Sequence, residues 1–137
     1  MIEIEKNPLY SIILCTNGIS HTSAIIPDQH LIILNLKDQK RGDFIAQTKN
    51  VFSKIEMILA SNDLGKEHIR DLQVNIVGRN KKDIKKRRDT FNILYRAWVQ
   101  DVEFPDGELP TRAIAIVPWA SDALIQIQIT KAVKNLS

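Results

Sequence analysis

At 137 residues the chain has the length of one domain, and its 44% apolar and 26% charged content is that of an ordinary globular protein. No apolar run approaches the ~20 residues needed to cross a bilayer, and the charged start Met1-Ile2-Glu3-Ile4-Glu5-Lys6 is not followed by a signal-type apolar core. The net charge of +3 is local: residues 79–88 hold seven basic residues and one acid, and the rest of the chain carries twelve basic against fifteen acidic residues, so the charge implies no spread nucleic-acid footprint.

In chain order, residues 10–16 read as a strand, and Asn17-Gly18 is a hairpin turn signal. Residues 19–26 are its partner, stopped by Pro27-Asp28, and 30–36 are a third strand rich in branched residues. Asp43 is placed to cap a helix over 44–60, whose apolar positions Phe44, Val51, Phe52, Ile55, Ile58 and Leu59 share one face. Residues 69–77 return to a strand, with Leu72, Val74 and Ile76 alternating against Asp71, Gln73 and Asn75. Asn80 caps a second helix over about 82–99, lined on one side by Ile84, Phe91, Tyr95 and Trp98. A loop over 101–111 precedes two final strands.

The order β-β-β-α-β-α-β-β predicts an α+β domain over residues 1–137, one mixed sheet with two helices packed on one face. Nothing remains to cover the other face, where isoleucines, small residues and glutamines are expected. Self-association into a closed ring follows as a physical expectation. The lone Cys15 forms no internal disulfide, and the single Cys and three His lack metal-ligand spacing, so a reducing cytoplasmic setting and no metal are expected.

One residue carries most of the chemistry. Arg112 opens an apolar strand, Ala113-Ile114-Ala115-Ile116, after a Pro-Thr turn. A guanidinium stays charged, its fork matches a carboxylate with two parallel hydrogen bonds, and in a partly buried setting it needs an anionic partner. That partner is either a protein acid or a small ligand. Gln126, Gln128 and Thr130 form a neutral polar row on the last strand.

Several segments together resemble the RidA/YjgF family of small imine deaminases along nearly the whole chain. Asn7-Pro8-Leu9-Tyr10-Ser11 resembles that family's Gly-Pro-Tyr-Ser opening, and Thr22-Ser23-Ala24-Ile25-Ile26-Pro27 its Ser-Gly-Gln-Ile-Pro segment. Gln47-Thr48 resembles its Gln-Thr, and Phe91-Asn92-Ile93-Leu94-Tyr95 its Val-Asn-x-x-Tyr. Pro110-Thr111-Arg112 resembles its Pro-Ala-Arg, and Ala123-Leu124-Ile125-Gln126-Ile127-Gln128 its Ala-Leu-Val-Glu-Ile-Glu. The resemblance implies a chorismate-mutase-like homotrimer, a barrel of sheets with helices outside and sites between subunits. It implies a 2-imino or 2-oxo acid ligand, hydrolysis of the imine to the 2-oxo acid and ammonia, and no cofactor. By matching, Arg112 is the carboxylate clamp, Asn92 and Tyr10 line the site, and Ser23 and Ala24 supply a backbone contact. Gln126, with Tyr10, falls at the catalytic position.

The departures from the pattern also carry meaning. Glutamines 126 and 128 stand where the family has glutamates, and a neutral amide is no general base. Loss of such help is typically worth ~10²–10⁴-fold in rate. Ile114 replaces a frequent cysteine, and Ala24-Ile25 replaces Gly-Gln, so a smaller and more apolar pocket is expected. Three readings follow: a 2-iminobutanoate/2-iminopropanoate deaminase of weakened activity; a trimeric receptor of small carboxylates without turnover; and an RNA-binding, endoribonuclease-type protein using residues 79–88. In that last case aromatic residues for base stacking are not interleaved with the basic ones, and nucleic acid is not the expected partner.

Overall fold

The computed structural model describes residues 2–5, 13–16, 19–32, 42–117 and 123–134. Their elements are β1 (Ile2–Glu5), β2 (Ile13–Thr16), β3 (Ile19–Thr22), α1 (Phe44–Ala60), β4 (Ile69–Val77), α2 (Lys81–Val99), β5 (Thr111–Val117) and β6 (Ile125–Val133). They form one mixed sheet in the order β1-β2-β3-β6-β4-β5. β4 and β5 run parallel, joined by α2 as a crossover; the other neighbours are antiparallel.

Local chemistry sets the helix boundaries. The Asp43 carboxylate accepts from Ile45 N–H at 2.9 Å, and the Asn80 side chain accepts from Asp83 N–H at 2.9 Å, so each helix starts on a polar cap. Gly42, at φ 91°, sits where a Cβ would collide with the carbonyl of Leu31, which fixes glycine ahead of α1. The expected apolar face of α1 is buried in full. Its Phe52 ring stacks on Trp98 of α2, centroids 4.3 Å apart and planes within 3°. Phe91 and Tyr95 extend this aromatic seam between the helices and the sheet.

Residues in register across strands share a face. Leu72, Val74 and Ile76 of β4 therefore point the same way as Ile129, Ile127 and Ile125 of β6, all buried under the two helices. The alternate positions Gln73, Asn75, Gln126 and Gln128 lie on the opposite face with Ala113 and Ala115 of β5. No described helix covers that face, as expected. Its composition differs from expectation: the isoleucines of β5 and β6 all sit on the helix side, because alternation with amides and alanines sends them there.

Two strand expectations need correction. Residues 29–31 form a 3₁₀ turn, with Leu31 N–H bonded to Asp28 C=O, so the strand expected over 30–36 does not begin there; residues 33–36 lie outside the described residues. The strand expected over 19–26 stops at Thr22, and the chain rejoins the sheet at Ile25, which exchanges two backbone bonds with Ile127 (2.7 and 3.0 Å). The pairing of Thr16 with Ile19 leaves two residues for the β2–β3 connection, the length an Asn-Gly hairpin requires. β1 was not expected; its Ile-Glu-Ile-Glu alternation is a strand period too short to stand out.

Candidate functional site

Arg112 is the second residue of β5, the edge strand among the described residues. Its register with Leu72 puts it on the helix face, half-buried beneath α2. There Asn92 Oδ1 accepts from both Nε (3.2 Å) and Nη2 (2.9 Å). One turn further along α2, the buried Tyr95 ring lies beneath the guanidinium, with Cζ 4.6 Å from its centroid. The Tyr95 hydroxyl donates to the carbonyl of Pro110 at 3.3 Å, tying the ring to the turn that launches β5. Burial pushes the Tyr95 phenol above its ordinary pKa, against the opposing field and hydrogen bonding of Arg112, so it remains a neutral donor.

The consequence is a charge held by a neutral frame. Among the described residues Arg112 meets no carboxylate, only the Asn92 amide oxygen and the neutral Tyr95 side chain. Asn92 Oδ1 takes the side-on fork of Nε and Nη2, and the end-on fork of Nη1 and Nη2 meets no protein acid among the described residues. A carboxylate fits that fork with two parallel charge-assisted bonds.

The sequence-predicted residues divide into three groups. Arg112, Asn92 and Ile114 come together: Ile114 shares the helix face one pleat along from Arg112. Gln126 does not join them. It is in register with Asn75 and lies on the open face, so in one subunit the sheet separates it from the arginine. The same holds for Gln128, whose amide donates to the carbonyl of Thr22 at 2.9 Å. This corrects the picture of an arginine beside a polar row: the two share a sheet and face opposite ways.

Ser23 and Ala24 lie between the end of β3 and the Ile25–Ile127 bridge, beyond β6 from β5. Three strand spacings, about 14 Å, separate that line from Arg112. Their segment is pinned to α1: Asp28 N–H donates to Asn50 Oδ1 at 2.7 Å, Asn50 donates to Asp28 at 2.9 Å, and Lys54 bonds Ile26 C=O at 2.7 Å. Tyr10 lies outside the described residues. Gln47, in the matched Gln-Thr pair, has a structural task. Buried in α1, it donates to Leu31 C=O and accepts from Leu124 N–H, clamping both connections at its end of the sheet.

Sequence reasoning gave Tyr95 a place in a motif but missed its contact with Arg112. The i, i+3 spacing of Asn92 and Tyr95 was the available signal, since it puts both on neighbouring lines of one helix. Among the described residues no group of three or more His, Cys, Asp or Glu gathers as for a metal ion, and no helix is long and apolar enough to cross a membrane.

No protein-family model and no curated protein matches the chain. Solved structures do. NMB1025 of Neisseria meningitidis, a member of the YjgF protein family, is 23% identical over 100% of this chain and 98% of its own, at a TM-score of 0.70. YyfA of Yersinia pestis, a protein of unknown function of the conserved Rid family, is 22% identical over 95% and 91%, at 0.63. Yeast Mmf1 is 18% identical over 98% and 94%, at 0.64. Across nearly its whole length, this chain has the fold of the YjgF/Rid proteins, the family that its sequence motifs resemble.

Proposed function

We propose that the protein is a homotrimeric receptor for small 2-oxo or 2-imino acids, with Arg112 as the carboxylate clamp. The observation that carries this reading is the neutral frame of the guanidinium: Asn92 and Tyr95 position it without discharging it. A partly buried cation left without an acid is costly unless water or an anionic ligand completes it. The placement of the remaining residues supports a site shared between copies. Ser23, Ala24 and Gln126 complete a pocket with Arg112 only when a second copy brings its own set to the β5 edge. Both the sheet face that no described helix covers and the β5 edge, open among the described residues, invite such packing.

Catalytic imine hydrolysis is the second reading, favoured by one observation. Unlike Gln128, Gln126 makes no side-chain hydrogen bond among the described residues, so its amide is available to hold a water. Imine hydrolysis is intrinsically easy, and positioning alone can sustain it. In either reading the arginine fixes the ligand's carboxylate and the apolar Ile114 narrows the pocket.

Titration calorimetry with 2-oxobutyrate and an assay of ammonia release from enzymatically generated 2-iminobutyrate test both readings. Arg112→Ala should weaken 2-oxobutyrate binding by about 10- to 100-fold, the worth of a charge-assisted fork. Unchanged binding in that variant rejects the receptor. Ammonia release no faster than in Arg112→Ala rejects the enzyme, and release that rises in Gln126→Glu identifies the missing base as its limit.

A further inference from the structure

The helix that frames Arg112 carries more positive charge along the same line. Helical periodicity puts Lys81, Lys85, Arg88, Asn92 and Arg96 on one stripe of α2. Arg88 precedes Asn92 by four residues and Arg96 follows it by four, so each stands about 6 Å from the residue that holds Arg112. Both are exposed, and neither makes an ion pair among the described residues. The acid on this side of the helix, Asp89, is 3.7 Å from Lys85 Nζ, its i−4 neighbour. Arg87, by contrast, is turned toward the sheet and donates to Val77 C=O at 2.5 Å. The basic run of the sequence is therefore divided by the helix. Arg87 packs against the sheet, and Arg88 joins Arg96, beyond the run, in a cationic rim that flanks Asn92.

From this juxtaposition we infer that the Arg112 site takes 2-oxo acids bearing a second anionic group, that is, dicarboxylates in preference to monocarboxylates. The inference rests on the receptor reading and specifies its ligand. The end-on fork of Arg112 fixes the first carboxylate. The second carboxylate of a five-carbon acid extends from the fork toward the α2 rim. Arg88 or Arg96, on flexible stems and each able to present a planar fork, meets it there. The rim also raises the local concentration of anions around the receptor.

The test compares 2-oxoglutarate with 2-oxopentanoate, two five-carbon 2-oxo acids that differ by one carboxylate, by titration calorimetry on the full chain at low and high salt. The expected result is about five- to tenfold tighter binding of 2-oxoglutarate at low salt, a margin that shrinks as salt screens the exposed rim. In Arg88→Gln/Arg96→Gln the ratio should fall to about one, while the same loss of charge at Lys82→Gln/Lys86→Gln, exposed and off that stripe of α2, leaves the ratio as it was. Equal or weaker binding of 2-oxoglutarate overturns the inference, and so does a preference that survives the double arginine substitution. If both acids bind and Arg112→Ala abolishes both, the receptor reading stands in either case. If neither acid binds, or Arg112→Ala changes neither, the receptor reading fails and this inference fails with it.

Discussion

The two faces of the sheet are built from the same three strands, β6, β4 and β5, yet they do opposite work. On the helix face Leu72, Val74, Ile76, Ile125, Ile127 and Ile129 are buried with no access to solvent worth noting. On the other face Gln73, Asn75, Gln126 and Gln128 are half-buried amides flanked by alanines. The buried core of the chain therefore lies on one side, and the amides that no described helix covers lie on the other. Arg112 stands on the stabilising side at its edge, where a charge is tolerated because α2 offers it an amide and a ring.

The comparison is open to direct attack. The largest effect should come from Ile127→Ala, which removes buried methylenes from the centre of the helix face and should cost about 2–5 kcal/mol in urea unfolding. Gln126→Ala, one residue earlier, should shift subunit stability by no more than about 0.5 kcal/mol. Its effect should fall on assembly or turnover instead, read by sedimentation and by ammonia release. Comparable losses in both variants would break the division between the faces.

A smaller effect is expected at the clamp between α1 and the sheet. Gln47→Leu keeps the volume but leaves Leu124 N–H and Leu31 C=O without their partner. The expected cost is about 1–3 kcal/mol, and hydrogen exchange at Leu124 should accelerate. Unaltered exchange there would show that the clamp does not hold the β6 start.

The smallest effect concerns acid. The hydrogen bond from Asn50, aided by Lys54, holds the Asp28 carboxyl below its ordinary pKa, against the opposing cost of burial. A lowered carboxylate contributes stability that is present above its unfolded value near ~4 and lost as pH falls through the folded one. Because Asp28 is well exposed, Asp28→Asn should cost less than about 1 kcal/mol at neutral pH. The difference from the parent protein should close on acidification below about pH 4. A difference that stays constant from pH 7 to pH 3 would remove the charge from the explanation.

Much of this architecture was legible in the sequence. The 44–60 helix appears as read, and the second starts one residue earlier than read, because their apolar residues recur at helical spacing and polar caps mark where they begin. Strand 69–77 likewise shows its two faces by alternation alone. The early strands were read less well. Around Ile25 the chain is held by pairing with Ile127, a partner a hundred residues away that leaves no local trace. At the site, the arginine and the asparagine were read as neighbours and are in contact. Within one chain the glutamine lies across the sheet from them.

By itself the sequence determined which residues are helical, which strand positions are apolar, and that a permanent cation opens the penultimate strand; these are local periodicities and the fixed chemistry of side chains. Which face of the sheet each strand residue occupies relative to another strand was decided only by tertiary register. Parity within one strand says nothing about parity in the next: a shift of one residue in pairing would have turned Arg112 to the face that carries Gln126, and the observed register with Leu72 puts it under Asn92 and Tyr95 instead.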